Sequence, residues 1–308
     1  MGVPQGSNIG PLLFMLFVND FPSCLECTSC NLFADDTAIY CSGTNITEIN
    51  STLQVDVKNV VKWFNDNMLT VNIDKSCSIA IGTHQRLNNQ TEELNVTVMD
   101  DNLRNVNSIK YLGLTIDNNL NWNQHVNNLC LKLSPKIELL RKLKHKLPTE
   151  QLITIYKSII QPHFDYCVSV WGSTSKTNIL LLQRLQNRAA RIITGMYDWN
   201  ISARNIVNNL GWMNIKQRID YFTSLLTFKA LNGLTPTYIS DTLHIRESSY
   251  NVRNANGFNF VVPRSNLELF KQSFLYNAPQ LWNNLRSITA DMFKTRYKKF
   301  LLTKKAPI

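Results

Sequence analysis

Long apolar segments are missing from this sequence of 308 residues. The longest apolar run, Pro11–Val18, is too short to cross a bilayer. No Lys or Arg precedes this run and no clear cleavage site follows it, so it lacks the features of a signal peptide. Internal repeats and low-complexity stretches are also absent. The sequence therefore predicts a folded chain with no membrane partner.

Cysteine is scarce, with seven residues, and the number is odd. Cys24, Cys27 and Cys30 are regularly spaced, but no fourth ligand follows at a spacing typical of zinc sites. The favoured interpretation is ordinary thiols of a reducing compartment, and a zinc site is the alternative.

Acidic residues are sparse in the second part of the chain. Residues 1–116 contain 6 basic and 12 acidic residues, a net charge of −6, whereas residues 117–308 contain 26 and 10, a net charge of +16. An acidic front and a basic back suit a metal site joined to a part that binds a polyanion. Two unrelated domains with different surfaces are the alternative.

An acidic pair stands between two short strand-like segments. Asp35 and Asp36 separate Asn31–Phe33 from Ala38–Cys41, which predicts a hairpin with carboxylates at its turn. Adjacent carboxylates on a rigid turn can hold the two divalent cations that nucleotidyl transfer requires. The simpler interpretation is a turn whose Asp residues only make local hydrogen bonds.

Apolar spacing predicts secondary structure along the chain. A buried helix is expected over Ile9–Val18, and strands over Leu69–Ile73, Cys77–Ile81, Leu94–Met99 and Ile109–Ile116. Further helices are expected over Thr47–Met68, Asn123–Lys144, Thr149–Trp171, Asn178–Thr194, Asn214–Leu231, Leu267–Leu285 and Asp291–Leu302. Pro135 and Pro162 should break or kink two of them. Ser248–Pro263 shows no clear period, and the tryptophans Trp171, Trp199, Trp212 and Trp282 are assigned to the core.

Several motifs together resemble a known family. Phe33–Tyr40 (FADDTAIY) resembles the metal-binding motif of reverse transcriptases from non-long-terminal-repeat (LINE-like, jockey-like) retrotransposons, and Gly2–Phe14 resembles the motif that precedes it. Leu69–Ser76 resembles the next palm motif, and Tyr111–Ile116 resembles the turn that grips the primer strand. Leu185–Gly195 is similar to the region behind the palm.

The resemblance implies roles for individual residues. Asp35 and Asp36 would hold Mg²⁺ (or Mn²⁺), and Lys75 would offer charge or a proton to the leaving pyrophosphate. Gln5, Gly6 and Ala34 would lie against the incoming nucleotide, and Leu112 and Gly113 under the primer end. The alternatives are a loop that simply enters a helix for Gln5 and Gly6, a solvated lysine for Lys75, and a buried strand with a bulge at Gly113.

Basic helices predict a surface for nucleic acid. Arg184, Arg188 and Arg191 share one helical face and are expected to contact the phosphates of primer and template. A second basic cluster comprises Lys132, Lys136, Arg141, Lys142, Lys144 and Lys146. Solvated basic faces are the alternative.

The predicted fold class is α+β. Residues 1–116 would form a partial polymerase palm, 117–200 a helical thumb and 201–308 a mainly helical region of unknown role. The predicted function is RNA-directed DNA polymerisation by two-metal nucleotidyl transfer, with an RNA template, a DNA primer and deoxynucleoside triphosphates.

The family places another metal-binding Asp and the fingers ahead of the loop at residues 2–7, so we expect no activity from this chain alone. A non-catalytic nucleic-acid-binding remnant is the alternative. A metal-dependent phosphatase or nuclease is a third interpretation, and it is disfavoured because no His or further acidic cluster stands near the Asp pair in the sequence. The compartment, nucleus or cytoplasm by family, stays open.

Overall fold

The computed structural model describes residues 6–90, 92–198, 200–246 and 259–284. The chain divides into two units, one of Met1–Tyr111 with Asp117–Leu120 and one of Leu112–Ile116 with Asn121–Ile308. Helices dominate the second unit and short strands occur mainly in the first, so the predicted α+β class is confirmed. The three-part division predicted from the sequence is not decided by these two units and stays a prediction.

In its described residues the first unit contains short strands and three α-helices. Its α-helices are α1 (Gly10–Phe17), α2 (Ile46–Asp66) and α3 (His84–Asn88), with 3₁₀ turns at Phe21–Cys24 and Ile73–Lys75. Its strands are β1 (Ser29–Phe33), β2 (Asp36–Tyr40), β3 (Cys77–Ser78), β4 (Thr97–Val98), β5 (Asp101–Asn102), β6 (Arg104–Asn105) and β7 (Ser108–Tyr111). β1 and β2 pair antiparallel, as do β4 and β5, whereas β3 and β6 pair parallel.

Helix α1 forms where the sequence predicts it, but the expectation that it is buried is wrong. None of its residues is buried, and Leu12, Met15 and Leu16 expose 54%, 58% and 65% of their surface. Pro11 lies in the first turn, where its missing N–H costs nothing. The apolar composition of this segment predicts the helix, but its burial also depends on whether other elements cover the helix.

The apolar stripe of α2 is the centre of the first unit. Val57 packs with Leu94, Val96 and Val98, and the opposite end of the stripe places Trp63 against Phe21. The helix begins at Ile46, one residue earlier than predicted, because the Asn45 side chain caps it by accepting from the Thr47 N–H at 3.1 Å.

The strand predicted over Leu69–Ile73 is wrong. Residues 69–72 have no regular structure, and Ile73–Lys75 form a 3₁₀ turn capped by the Asn72 side chain. Alternating apolar residues are not enough for a strand, since its backbone groups also need a partner. The predicted strands near residues 77–81 and 94–99 survive only as two-residue segments.

The second unit is helical, with strand β8 at Leu114–Asp117, whose last residue belongs to the first unit. Its helices are α4 (Asn123–Leu143), α5 (Thr149–Ile155), α6 (Gln161–Asp165), α7 (Val168–Trp171), α8 (Lys176–Thr194), α9 (Ala203–Asn209), α10 (Ile215–Leu231), α11 (Thr237–Ser240), α12 (Glu268–Lys271) and α13 (Phe274–Asn283). Buried residues of α4, α8 and α10 share one continuous core, which contains Leu133, Leu182 and Ile215. Within it the rings of Tyr156 and Trp212 stack with centroids 3.8 Å apart.

The two prolines behave differently. α4 runs through Pro135 without interruption, so of the predicted break or kink the break does not occur. Before Pro162 the helix changes to a π-helical segment, Tyr156–Ile160, and α6 then places Pro162 in its first turn. The change of helix type accommodates the missing N–H of Pro162, as expected from the sequence.

The last predicted helices are only partly described. The helix predicted over Leu267–Leu285 is divided into α12 and α13, and Asp291–Leu302 lies outside the described residues. Ser248–Pro263 is described only from residue 259, where Phe260 bridges to Ile245. Trp171 and Trp212 are buried as predicted, Trp282 is half-buried against Phe260, and Trp199 lies outside the described residues.

No helix of the part of the chain that the structure describes is long and apolar enough to cross a membrane.

His125 lies inside the core of the second unit. Its ring packs against Trp122 and Trp171, with centroids 6.2 and 5.6 Å away, and its Nδ1 accepts from the Thr115 N–H at 3.3 Å. The neutral ring therefore carries its proton on Nε2. Burial, with a smaller effect of the Lys132 charge, lowers the pKa of His125 to about 4.

Acidification from pH 7 to pH 5 is expected to destabilise the second unit by about 2 kcal/mol through His125. The unfolded residue takes up a proton near 6.5, while the folded residue stays neutral until about 4. Stability therefore falls as the pH drops through this window. A His125→Asn variant keeps an acceptor for Thr115 and should show a shallower fall in thermal unfolding temperature. The exposed His145→Asn is the control, and equal pH slopes for His125→Asn and wild type would contradict the assignment.

Candidate functional site

The acidic pair lies at the tip of the β1–β2 hairpin, as predicted. Phe33 pairs with Asp36, so Ala34 and Asp35 are the two central residues of the turn. Ala34 has a positive φ of 51°, and Asp36 is the first residue of β2. Both carboxylate side chains are exposed. The hairpin therefore presents two adjacent carboxylates to solvent from a hydrogen-bonded ladder.

A buried carboxylate holds the segment that leads into β1. Asp56, on α2, is 0% exposed and accepts from the N–H groups of Glu26 and Cys27 at 2.9 Å and of Thr28 at 2.6 Å. Burial by itself raises the pKa of Asp56, but these backbone donors outweigh it and hold the pKa below its ordinary value. The charged side chain thus fixes the approach to the hairpin.

The sequence analysis missed this role of Asp56. Because Asp56 falls among the apolar positions of the α2 stripe, its place on the buried face was the signal that could have found it.

Cys27 lies within the same segment, and Cys24 and Cys30 lie on either side of it. Cys24, Cys27 and Cys30 are free thiols, and burial raises the pKa of Cys24 and Cys30. Within the described residues, no three His, Cys, Asp or Glu side chains are grouped so that they could share a metal ion.

Lys75 closes the 3₁₀ turn of the first unit. Its backbone N–H donates to the Asn72 Oδ1 at 3.1 Å, and its side chain is exposed. The ammonium group of Lys75 is therefore available to an anion.

Of the predicted nucleotide-binding residues, Gln5 lies outside the described part of the chain. Gly6 is exposed, with a φ of 84° that favours glycine. Ala34 is exposed at the hairpin tip.

The predicted primer-contacting residues form a tight turn in the second unit. Leu112 and Gly113 both have positive φ, 44° and 82°. The Tyr166 hydroxyl donates to the Leu112 carbonyl at 2.7 Å, and a Cβ on Gly113 would lie 3.2 Å from the Tyr166 ring. This turn splits the single strand predicted over Ile109–Ile116 into β7 and β8.

The three arginines of α8 differ in their surroundings. Arg184 is exposed, whereas Arg188 pairs with Glu138 of α4. Arg191 donates to the carbonyls of Met196, Asp198 and Ile201 at 2.8–3.2 Å, and so fixes the segment after the helix. The shared helical face is real, but two of its three side chains have partners within the chain.

The basic cluster of α4 is similarly mixed. Lys132 is exposed, but Lys144 donates to the Ile193 carbonyl at 2.5 Å and thereby caps α8. Lys136 donates to the Ile159 carbonyl at 3.4 Å and lies 2.5 Å from the Nε2 of His163. Burial, followed by the charges of Lys136 and Lys132, lowers the pKa of His163.

Comparison with known proteins agrees with the hairpin motif. Residues 1–116 match the family described as "Reverse transcriptase (RNA-dependent DNA polymerase)". No solved structure matches the chain.

Curated relatives extend the similarity beyond this region. The "RNA-directed DNA polymerase from mobile element jockey" of Drosophila melanogaster is 28% identical over 68% of this chain and 23% of its own length. The "Probable RNA-directed DNA polymerase from transposon X-element" of the same species is 27% identical over 72% of this chain and 25% of its own. A "Retrovirus-related Pol polyprotein from type-1 retrotransposable element R1 2" of Nasonia vitripennis is 21% identical over 67% and 56%.

The chain spans about a quarter of the length of the first of these relatives. The predicted family is nevertheless confirmed, because the matched region contains the acidic hairpin and the similarity continues into the helical unit. Residues 1–116 match the reverse transcriptase family, and the chain is similar to the LINE-like polymerases of non-long-terminal-repeat retrotransposons.

Proposed function

We propose that this chain takes part in RNA-directed DNA polymerisation, with Asp35 and Asp36 as metal-binding residues. The observation that carries the proposal is the exposed pair of adjacent carboxylates on the β1–β2 turn, inside the region that matches the reverse transcriptase family. The substrates would be an RNA template, a DNA primer and deoxynucleoside triphosphates.

The hairpin fits a hard divalent cation such as Mg²⁺ or Mn²⁺. Carboxylate oxygens are the ligands that these ions prefer, and both side chains are exposed to solvent. The strand ladder, and the bonds that hold residues 26–28 to Asp56, would limit the movement of the turn. Bound cations would activate the attacking primer hydroxyl and neutralise charge on the leaving group.

Other residues of the chain supply binding. Lys75 would place its Nζ proton near the leaving pyrophosphate, where negative charge develops. Gln5, Gly6 and Ala34 would contact the incoming nucleotide, and the small size of Gly6 and Ala34 would let their backbone approach it closely.

The second unit would hold the primer and template. Leu112, which is half-buried, and Gly113, which is exposed, form the turn proposed to meet the primer end. Arg184 and Lys132 offer exposed cations for phosphates. Arg188 and Arg191 would contribute mainly by fixing α8 and the segment that follows it.

Non-catalytic binding of nucleic acid is the second candidate. The net charge of +16 over residues 117–308 favours it, because such a charge suits phosphate binding whether or not chemistry follows. This function would show a steep fall of affinity with salt.

Primer extension on an RNA template tests the catalytic proposal. The assay uses this chain and the longest reading frame that contains it, with Mg²⁺ or Mn²⁺. The double variant Asp35→Asn, Asp36→Asn is expected to lower extension on the order of 10³-fold, because it removes both negative charges from the hairpin. Asp66→Asn, an exposed carboxylate of the same unit, is the matched control.

Manganese-induced broadening of backbone resonances gives a readout that does not depend on activity. It should affect residues 33–37 in the wild type and disappear in the double variant. Extension that persists in the double variant contradicts the proposal. Salt-sensitive duplex binding without extension in either form supports the second candidate.

A further inference from the structure

The Leu112–Gly113 turn is strained in a way that requires support. Two consecutive residues adopt left-handed backbone conformations, and Leu112 does so with a branched side chain. Such conformations persist only where surrounding contacts hold them.

Tyr166 supplies that support from another part of the second unit. Its hydroxyl donates to the Leu112 carbonyl at 2.7 Å, and its ring carbon Cε1 would lie 3.2 Å from a Cβ on Gly113. One side chain thus fixes the direction of the Leu112–Gly113 peptide and also occupies the space beside Gly113. Any larger residue at position 113 would adopt an unfavourable positive φ and would also crowd the Tyr166 ring.

Tyr166 is itself held firmly at its backbone. It lies between α6 and α7, and the Trp171 Nε1 donates to its carbonyl at 2.8 Å. The neighbours Phe164 and Val168 are each 1% exposed, whereas Tyr166 is 53% exposed. The core therefore anchors the backbone while the phenol reaches out to the turn.

We propose that Tyr166 is a positioning residue that holds the Leu112–Gly113 turn in the one conformation that receives the end of a DNA primer paired to RNA. The inference rests on the proposed function, because that function assigns the primer end to the Leu112–Gly113 turn. Pre-ordering the turn removes an entropy cost that binding would otherwise bear.

Fluorescence anisotropy with two RNA–DNA hybrids tests this inference. One hybrid has a recessed primer 3′ end, and the other is a blunt duplex of equal length. Tyr166→Phe keeps the ring but loses the hydroxyl, so its affinity for the recessed end is expected to fall about fivefold, with the blunt duplex unaffected. Tyr238→Phe, at a tyrosine that is 72% exposed in the same unit, is the matched control.

Amide exchange of residues 112–114 provides a second measurement. Tyr166→Phe should speed exchange there and leave the thermal unfolding temperature nearly unchanged. If Tyr166 had a purely structural role, Tyr166→Phe would lower the affinity for both hybrids and also the unfolding temperature. That result would overturn the proposal. Equal affinities for Tyr166→Phe and wild type also overturn it and leave the proposed function intact. If wild type binds neither hybrid, the proposed function fails as well.

Discussion

Replacement of Arg218 by methionine is expected to lower the free energy of unfolding of the second unit by about 4 kcal/mol. The guanidinium binds Asp165 through two parallel bonds, of which Nε to Oδ1 measures 2.6 Å and the other joins Nη2 to Oδ2. The two side chains expose only 7% and 19% of their surface. Methionine would leave a largely buried carboxylate without its cation, and little water reaches it to compensate.

Chemical denaturation of two single variants and their double measures this pair. Asp165→Leu should also be destabilising, and the double variant Asp165→Leu, Arg218→Met should recover most of the loss, because two apolar groups need no partner. Lys216→Met is the matched control: its pair with Asp220 measures 2.9 Å, but Lys216 is 62% exposed. We expect less than about 0.5 kcal/mol there. Equal losses in Lys216→Met and Arg218→Met would contradict the prediction.

Replacement of Asp56 by asparagine is expected to lower the free energy of unfolding of the first unit by about 3 kcal/mol. The carboxylate accepts from three backbone N–H groups, whereas an amide offers one oxygen and turns its NH₂ group towards donors. The loss should appear as faster amide exchange at Glu26, Cys27 and Thr28. Because this segment leads into β1, the hairpin tip should also become less ordered and exchange its amide protons faster.

The pH dependence of the Asp56 variant gives an independent check. Since folding lowers the pKa of this carboxyl below 3.8, its contribution is complete above that value and is lost as the pH falls through the lower folded value. The stability difference between wild type and Asp56→Asn should therefore shrink in acid below pH 3.8. Asp66→Asn removes the same charge from the exposed end of α2 and should change stability little. A difference that persists unchanged in strong acid would argue against the buried-carboxylate account.

Local patterns predicted the elements that need no distant partner. The period of apolar residues located α2, α4, α8 and α10 to within a few residues, because one buried stripe specifies a helix. The short strands around Asp35-Asp36 predicted the hairpin, because its two strands are adjacent in sequence and pair with each other.

Features that depend on distant contacts escaped the sequence analysis. The partners of Asp56 lie 28–30 residues away, and the partner of Arg218 is 53 residues away. Arg191 looked like a phosphate-binding residue because its carbonyl partners have no distinctive side-chain pattern. The exposure of α1 likewise depends on what surrounds it, which its own apolar composition cannot reveal. The roles of the predicted site residues stay predictions.

The left-handed conformation of Ala34 bears on how the hairpin tolerates mutation. A two-residue turn with positive φ at its first central position favours glycine there, and alanine in that conformation costs about 1 kcal/mol. A glycine at position 34 would relieve the cost but widen the motion of the segment that displays the two carboxylates. A change from alanine to glycine at position 34 would therefore stabilise the fold while making the positions of the two carboxylates less well defined. The geometry of the acidic tip would be lost before the fold itself was.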